Sequence, residues 1–474
     1  MRRMLLPLLV AALSTSCIPQ QQWRKKAVLT RPSAQADAED GYTIAQDASK
    51  NRLYSLSFVE FDNEGHAFDP QQLEEALKAI DEADRRSNHH ALVLVFIHGW
   101  KNNAGQSNNN VHDFRVQINR IAKEVCGTEV ATCGVTGIYF GWNGDSVDQA
   151  WGTLRQASIF DRRGVARKVS GGDIGNALLN VMKRVKNTPD RLSNRSVVVG
   201  HSFGGLILEA ALAPKMKQVS IELHDQIGKR RNNVDAFDVP ILSELADLIV
   251  LLNEAASSVK AVNLLAEFRK DLQEVHLLLP PREDGCAAGD TRQDCKKLAK
   301  PMLLAVSSES DMATSALIPV SEKLSPSKLT LDPGVAATLP KGLDEKAVST
   351  NGTAHTPLLH SHNLVECDGA DCGPCLARDP YYIPVRIKNL PAFARGNEKH
   401  KDKPLNYCLE RIPKAWNQTP FWIFRLPTAI VPDHGEIFTD RFTDFLISFL
   451  PPLGKVGKTT LPAALPSMKS GANR

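Results

Sequence analysis

The sequence predicts an α/β protein with a predominantly parallel central sheet and helices on both faces. Short, continuous apolar runs that suit buried strands alternate with longer segments whose apolar residues recur at helical spacing. The expected strands are 54–61, 91–97, 135–140, 197–199, 247–252, 301–306 and 421–426. The expected helices are 70–83, 111–125, 174–185, 206–212, 259–272 and 438–450. This alternation is typical of a sheet that is covered on both sides.

Length and composition indicate a globular protein with a sizeable core. The chain has 474 residues, of which 42% are hydrophobic and 23% charged. Residues 51–450 are expected to form one large, decorated domain. A formal net charge of +4 is small for this length and argues against a dedicated nucleic-acid-binding protein.

The N-terminus has the pattern of an export signal. A basic start at Met1–Arg3 precedes the apolar run Leu5–Leu13, which is too short to span a bilayer, so residues 1–16 are expected to be a signal peptide. The small residues before Cys17 resemble a bacterial lipobox, although Leu13 lies one place further upstream than the usual apolar position. That resemblance implies a lipidated Cys17, and simple secretion is the alternative.

Three further segments lack the strand and helix pattern. Residues 17–50 are polar and are expected to form a flexible tether, and the Pro- and Lys-rich residues 451–474 a disordered tail. Residues 146–170 are expected to be irregular and to belong to a cap. Residues 312–420, rich in Pro, Gly, His and Cys, are expected to form a Cys-rich insert before the last strand.

The cysteines support export. Without Cys17, eight of the nine remain, an even number that suits disulfide bonds. Two pairs lie close together in the sequence and could each close a small loop: Cys126 with Cys133, and Cys286 with Cys295. The connectivity of the other four is left open; they are Cys367, Cys372, Cys375 and Cys408. The last four also resemble an iron–sulfur or zinc pattern, but an oxidising compartment favours disulfides, so no metal site is expected.

The most informative stretch is Ser196–Gly205, which reads SVVVGHSFGG. A valine strand turns sharply through Gly200-His201-Ser202-Phe203-Gly204 into an apolar helix, which is the context of a G-x-S-x-G nucleophile elbow. Such a turn strains the backbone at the serine and lifts its hydroxyl above the sheet, while the glycines allow strand and helix to approach closely. The pattern predicts Ser202 as a nucleophile.

Residues that follow the strands should meet at one edge of a parallel sheet. Among them are Trp100, Ser202, Asp311 and His434, and the order serine, acid, histidine is that of the α/β hydrolases. Over roughly residues 50 to 450 the chain resembles that family, in its serine esterase and lipase branch. The resemblance implies an α/β-hydrolase fold.

The resemblance also implies a role for each residue. His434 would take the proton of Ser202, and Asp311 would orient the imidazole. The backbone N–H groups of Trp100 and Phe203 would form the oxyanion hole.

Several other residues compete for these roles or support them. Glu309 is the alternative to Asp311 as the acid. His434 is preferred as the base because it lies between the last strand and the last helix. Four other histidines occur late in the sequence: His355, His360, His362 and His400. Four residues are expected to be structural: His98 and His201 as hydrogen-bonding residues, and Trp142 and Trp151 as cleft wall or core. Asp433 is expected to orient the loop of His434. No phosphate-binding loop, dinucleotide motif or zinc-protease helix occurs, so no cofactor is expected.

These features predict a serine hydrolase of the cell envelope that cleaves carboxylic esters through an acyl-enzyme. The expected partners are an ester or acylated lipid substrate and the membrane that holds the lipid anchor. Ile18, next to Cys17, is not the aspartate that retains lipoproteins in the inner membrane, which favours the outer membrane facing the periplasm. The alternatives are a non-catalytic scaffold on the same fold, or acyl transfer by the same three residues.

Overall fold

The computed structural model describes most of the predicted domain. The residues described are 20–25, 42–46, 52–127, 132–145, 152–232, 245–269, 301–324, 329–367, 383–387, 405–412, 415–417, 419 and 421–450. The predicted signal peptide, Cys17, Trp151, Cys286, Cys295, Cys372, Cys375, His400 and the predicted tail lie outside the described residues.

A large twisted sheet organises the described part of the chain. Seven of its strands are parallel and β1 pairs antiparallel with β2, in the order β1-β2-β4-β3-β5-β6-β7-β11. The strands are β1 (Tyr42–Gln46), β2 (Arg52–Glu60), β3 (Leu92–Ile97), β4 (Val135–Gly141), β5 (Arg195–His201), β6 (Leu248–Leu252), β7 (Leu303–Ser308) and β11 (Phe421–Leu426). The predicted parallel α/β sheet is confirmed, and β1 is an addition that the sequence did not predict.

Helices connect the strands and cover both faces. They are α1 (Pro70–Arg86), α2 (Asn109–Cys126), α3 (Gly152–Gly171), α4 (Ile174–Val185), α5 (Phe203–Asn232), α6 (Val259–Arg269), α7 (Met312–Leu324), α8 (Glu345–Thr350) and α9 (Asp440–Phe449). One apolar core joins one face of the sheet to α1 and α3–α6. A second core joins the other face to α2 and α9. Since each central strand is buried along its whole length, a continuous apolar run is the pattern expected of it.

The region of the predicted insert, 312–420, carries regular structure. It holds α7, α8 and a separate antiparallel sheet in the order β8-β10-β9, formed by β8 (His362–Cys367), β9 (Ile383–Ile387) and β10 (Leu405–Arg411). Tyr407 and Leu409 of β10 pack into the second core. These strands are short and mix polar with apolar residues, so they lack the pattern of a buried strand.

Two segments differ from their predicted state. Within 146–170, expected to be irregular, residues from 152 onward form helix α3, whose Ala166 and Val169 are buried. Part of the predicted tether 17–50 also lies against the domain. Arg24 is fully buried with its guanidinium 4.1 Å from the ring centroid of Phe58. The carboxylate of Glu60 accepts hydrogen bonds from the backbone N–H groups of Trp23 and Arg24 at 2.8 Å each.

One predicted disulfide is confirmed, and it lies outside the predicted Cys-rich insert. Cys126 and Cys133 are bonded and close a short loop between α2 and β4. In the predicted Cys-rich insert, Cys408 of β10 is also disulfide-bonded. No helix in the described part of the chain combines the length and apolar character that crossing a bilayer requires.

Candidate active site

The turn between β5 and α5 holds Ser202 in an unusual backbone conformation. Its φ is +56°, in the left-handed region that residues with a Cβ rarely adopt. The Ser202 N–H donates to the carbonyl of Leu252 at 3.0 Å, and the Ser202 carbonyl accepts from Ala255 at 3.1 Å. These bonds to the chain after β6 hold the strained residue in place.

Close packing around the turn explains two glycines, one in the turn and one in the loop beside it. A Cβ on Gly204 would collide with the carbonyl of Ile97 at the end of β3. A Cβ on Gly99, in the loop after β3, would lie 2.8 Å from the Cβ of Ser202. The loop after β3 therefore lies directly beside the serine, and a side chain at either glycine would separate them.

A chain of hydrogen bonds links three residues that are far apart in the sequence. His434 Nε2 lies 2.9 Å from Ser202 Oγ, and His434 Nδ1 lies 3.0 Å from Asp311 Oδ1. Asp311 is 1% exposed and Ser202 5% exposed. The acid that contacts His434 is thus Asp311, while the alternative, Glu309, is exposed at the surface. We refer to Ser202, His434 and Asp311 as the hydrogen-bonded chain.

The environment of Asp311 keeps this buried carboxylate ionised. Burial by itself would raise the pKa of Asp311, but hydrogen bonds from His355, His434 and Thr314 outweigh burial and hold that pKa well below its ordinary value. Thr314 donates its N–H to Oδ1 at 3.1 Å and contacts Oδ2 through its hydroxyl. An ionised carboxylate is the form that can accept the N–H of His434 and stabilise a positive charge on it.

The loop that carries His434 is held by side chains from three strand ends. Asn253, which follows β6 and is fully buried, donates its amide to the carbonyls of Asp433 and His434 at 3.1 and 3.0 Å. Ser308, at the end of β7, donates its hydroxyl to the carbonyl of Val431 at 2.6 Å. His201 Nε2 lies 2.7 Å from the carbonyl of His434. The backbone of the loop is therefore fixed from three directions.

The two residues predicted to form the oxyanion hole both lie beside the serine. Trp100 and Phe203 line the same pocket as Ser202 and His434. Phe203 is the first residue of α5, whose leading N–H groups have no acceptor within the helix and point toward its N-terminal end. That end of the helix is suited to an anionic oxygen.

His98 supports the loop next to Trp100. Its Nδ1 lies 2.9 Å from the Gly99 carbonyl, and its Nε2 accepts the N–H of Trp142 at 3.0 Å. The Trp142 indole in turn donates to the His98 carbonyl at 2.8 Å and stacks on the imidazole. His98 and Trp142 thus brace this edge of the sheet, in keeping with the structural roles expected of them.

A pocket opens in front of the serine. Most of its wall is apolar, and the polar groups are Ser202, His434, Thr314 and the ion-paired Arg163; the lining residues are Trp100, Ile159, Phe160, Arg163, Ser202, Phe203, Ala255, Ala313, Thr314, Ile318 and His434. Helix α3 contributes Ile159, Phe160 and Arg163, so the segment expected to form a cap borders the pocket as a helix. Such a pocket suits a ligand with an apolar group.

Two of the other late histidines, His360 and His362, have no contact with Asp311 or Ser202 among their hydrogen bonds. His362 is buried, its ring packs on Trp422 and its Nδ1 bonds to Ser361 Oγ at 2.8 Å. His360 Nε2 lies 2.9 Å from the carbonyl of Ala354. Asp433 accepts the N–H groups of Gly435 and Glu436, which is the loop-orienting role expected of it.

Sequence reasoning did not predict the contacts of three residues of this site: Asn253, Thr314 and His355, the last of which was considered only as an alternative to His434. Asn253 directly follows an apolar strand, the criterion that selected Ser202 and Asp311, so its position was the available signal. Thr314 and His355 have no comparable signal. Where the structure describes side chains, no cluster of three or more His, Cys, Asp and Glu residues is arranged to hold a metal ion.

Comparison of the chain with protein-family models, with curated proteins and with solved structures finds no match in any of the three. The assignment of a function therefore depends on the geometry of the site alone.

Proposed function

We propose that the protein is a serine hydrolase of the α/β-hydrolase type that cleaves carboxylic esters through an acyl-enzyme. The observation that carries the proposal is the position of His434, with Nε2 2.9 Å from Ser202 Oγ and Nδ1 3.0 Å from Asp311 Oδ1. Both distances lie in the range required for proton transfer and for orientation of the imidazole.

The proposed reaction has two halves. Ser202 Oγ attacks the ester carbonyl while its proton moves to His434 Nε2, and the oxygen that becomes negative is bound by the N–H groups of Phe203 and Trp100. His434 then gives the proton to the leaving alcohol. In the second half, His434 takes a proton from water, the hydroxide attacks the acyl carbon, and the proton returns to Ser202 as the acid leaves.

The apolar wall of the pocket supports an ester substrate whose acyl or alkyl group binds in the pocket. Its apolar wall would exclude water from the reacting atoms and favour a hydrocarbon chain. Phe160, which lines the pocket, is 42% exposed, so an apolar side chain of the pocket also reaches the surface. This supports esters of lipids or acylated polymers as substrates.

We also propose that the protein is exported and held at the outer membrane, facing the periplasm, by a lipid on Cys17. The basic start, the short apolar run and the small residues before Cys17 support export, and periplasmic or secreted protein is the alternative. Mass spectrometry of the mature N-terminal peptide tests this. A diacylated Cys17 at the N-terminus is the expected result, and an intact residue 16–17 bond in the mature protein would contradict it.

The activity is tested with a series of p-nitrophenyl esters of increasing acyl length. The wild-type protein should release p-nitrophenol and free acid with saturation kinetics, and Ser202→Ala should lower the rate to that of the buffer while circular dichroism stays unchanged. A wild type that does not exceed the buffer rate on any ester would contradict the proposal and favour a non-catalytic scaffold. Acyl transfer to an added alcohol in preference to water would indicate a transferase.

A further inference from the structure

A second histidine contacts the carboxylate of Asp311. His434 Nδ1 lies 3.0 Å from Oδ1, and His355 Nε2 lies 3.3 Å from Oδ2. His355 Nε2 also lies 2.6 Å from the hydroxyl of Thr314, which itself contacts Oδ2. The two oxygens of Asp311 therefore face different imidazoles, and His355 lies 44 positions after Asp311 in the sequence.

His355 belongs to a short turn that is anchored independently of Asp311. The turn Thr353–His355 is a single turn of 3₁₀-helix at the carboxyl ends of β7 and β11. Ser258 holds the flanking chain, because its hydroxyl bonds to the Asn351 carbonyl at 2.7 Å and to Thr356 Oγ1 at 3.1 Å. The side chain of His355 is 7% exposed. The backbone that carries His355 is thus held by contacts that do not involve Asp311.

The chemistry of a buried carboxylate explains what a second imidazole adds. An ionised carboxylate out of contact with water is stable only when donors satisfy both oxygens. If Oδ2 lost a donor, the carboxylate could rotate or take up a proton, and Oδ1 would then be a poorer acceptor for His434. A donor on Oδ2 that is fixed from outside prevents both changes.

We propose that His355 is a positioning residue of the hydrogen-bonded chain: it donates its Nε2–H to Asp311 Oδ2 and to Thr314 Oγ1, and thereby aims Oδ1 at His434. His355 is not among the residues that line the pocket, and it acts through Asp311. The inference rests on the proposed esterase activity.

The test compares variants of the full mature chain on one short-chain p-nitrophenyl ester. His355→Leu removes the donor and should lower kcat by about 10- to 100-fold with KM within about twofold of wild type, as expected for the loss of an outer hydrogen-bonding partner. His355→Gln keeps an N–H donor at a similar reach and should restore most of kcat. His360→Gln is the matched control, since His360 bonds to the same turn at Ala354 but not to Asp311.

A double-mutant cycle separates positioning from a general effect on folding. In an Asp311→Asn background, the loss of His355 should cost less than about twofold in kcat, because His355 has no carboxylate left to position. If His355→Leu does not fold, as judged by circular dichroism and Tm, His355→Asn replaces it, because its shorter amide cannot reach Asp311. The kcat of His355→Asn should be lowered, whereas His355→Gln should keep most of the wild-type kcat.

The outcomes distinguish this inference from the proposed function. An active wild type whose kcat is unchanged in both His355→Leu and His355→Asn overturns the positioning role and leaves the esterase proposal standing. The same holds if His355→Leu lowers kcat by an equal factor with and without Asp311→Asn. An inactive wild type overturns the proposed function and, with it, the positioning role.

Discussion

Three of the histidines at this sheet edge, His98, His201 and His434, have different roles because their surroundings differ. Burial lowers the pKa of His98 to about 4 and that of His201 to about 3, so both imidazoles stay neutral at neutral pH. Each has a nitrogen hydrogen-bonded to a backbone carbonyl, that of Gly99 for His98 and that of His434 for His201. His434 instead has its nitrogens directed at Ser202 and Asp311, so it alone of the three is placed to move a proton.

This difference predicts the effect of removing His434. His434→Ala should lower kcat by a factor on the order of 10^3 or more, because Ser202 then has no base to take its proton. Asp311→Asn should lower kcat by a smaller factor, since the imidazole remains but loses the acceptor that orients it. Steady-state kinetics on a soluble ester gives both values, with circular dichroism and Tm as checks of folding. Near-normal turnover in His434→Ala would mean that another residue is the base.

Among the elements, the loop before α9 depends on side chains that other strands supply. Asn253 occupies a left-handed conformation, with φ +47°, and bridges β7 and the loop, because its Oδ1 accepts the N–H of Ser308 at 2.8 Å while its amide holds the His434 carbonyl. The amide thus sets the distance between the end of β6 and the imidazole. The position of His434 therefore depends on residues at the ends of the strands as well as on its own loop.

Asn253→Ala should therefore lower kcat by about tenfold or more without a matching change in KM, because the loop loses two hydrogen bonds that place the imidazole. The effect is measured with the same soluble ester. Asn263→Ala, on the outer part of α6, is the control for the loss of an asparagine side chain and should leave kcat within about twofold. Equal values of kcat in the two variants would argue against a role for Asn253 in placing His434.

Helix α3 illustrates where sequence patterns fail to predict an element. The central strands are continuous apolar runs and the helices α1, α2 and α9 have clear apolar periodicity, and their predicted bounds lie within a few residues of the observed ones. In α3 the buried face includes Arg162 and Arg163, which are 4% and 5% exposed. Arg163 is ion-paired with Glu322 of α7. Because charged residues fill positions that are usually apolar, the helical pattern is hidden until the partner on α7 is known.

The role of α3 and α7 as pocket walls gives a prediction about substrate length. Ala313→Phe should narrow the pocket and lower kcat/KM for a long-chain ester by about tenfold or more, while an acetyl ester is hydrolysed within a few-fold of wild type. Ile221→Phe is the control, because Ile221 is 58% exposed on α5 and does not line the pocket. The ratio of kcat/KM for octanoyl and acetyl esters is the quantity to compare. A ratio that Ala313→Phe leaves unchanged would place the acyl chain elsewhere.

At the scale of the molecule, the parallel sheet brings together residues that are more than 200 positions apart, as Ser202 and His434 are. The proximity of Ser202 and His434 could be predicted from the sequence, because the residues after parallel strands share one edge of the sheet. The contacts of Asp311 with His355 and Thr314 could not. They depend on how a short turn and the start of α7 pack against the edge, and no periodicity marks the residues of such a turn.

A pair of buried carboxyl groups lies behind the site. Glu209 of α5 and Glu254, which follows β6, are each 4% exposed. Burial raises the pKa of both, and the neighbouring Glu209 raises the pKa of Glu254 further. The folded state therefore holds protons that the unfolded chain releases near the ordinary pKa of 4.5. Stability contributed by this pair is full below that pH and falls as the pH rises toward the folded-state pKa values.

Glu254→Gln should weaken this pH dependence, because a neutral amide replaces the group that must lose a proton. Between about pH 5 and about pH 9, the Tm of the variant should fall less steeply than that of the wild type. Glu74→Gln, on the exposed surface of α1, is the matched control and should follow the wild-type curve. Scanning calorimetry across that range measures the slopes, and parallel curves for Glu254→Gln and wild type would mean that the pair is ionised in the folded state.

The central claim is that Ser202 is a nucleophile activated by His434, and a fluorophosphonate probe tests it most directly. Such probes react with activated serines and remain bonded to the serine oxygen. In the wild type we predict one adduct per chain by intact mass, located on Ser202 by peptide mapping. Ser202→Ala should stay unlabelled while keeping its Tm, and His434→Ala should react far more slowly. A wild type that stays unlabelled, or an adduct that persists in Ser202→Ala, would contradict the account.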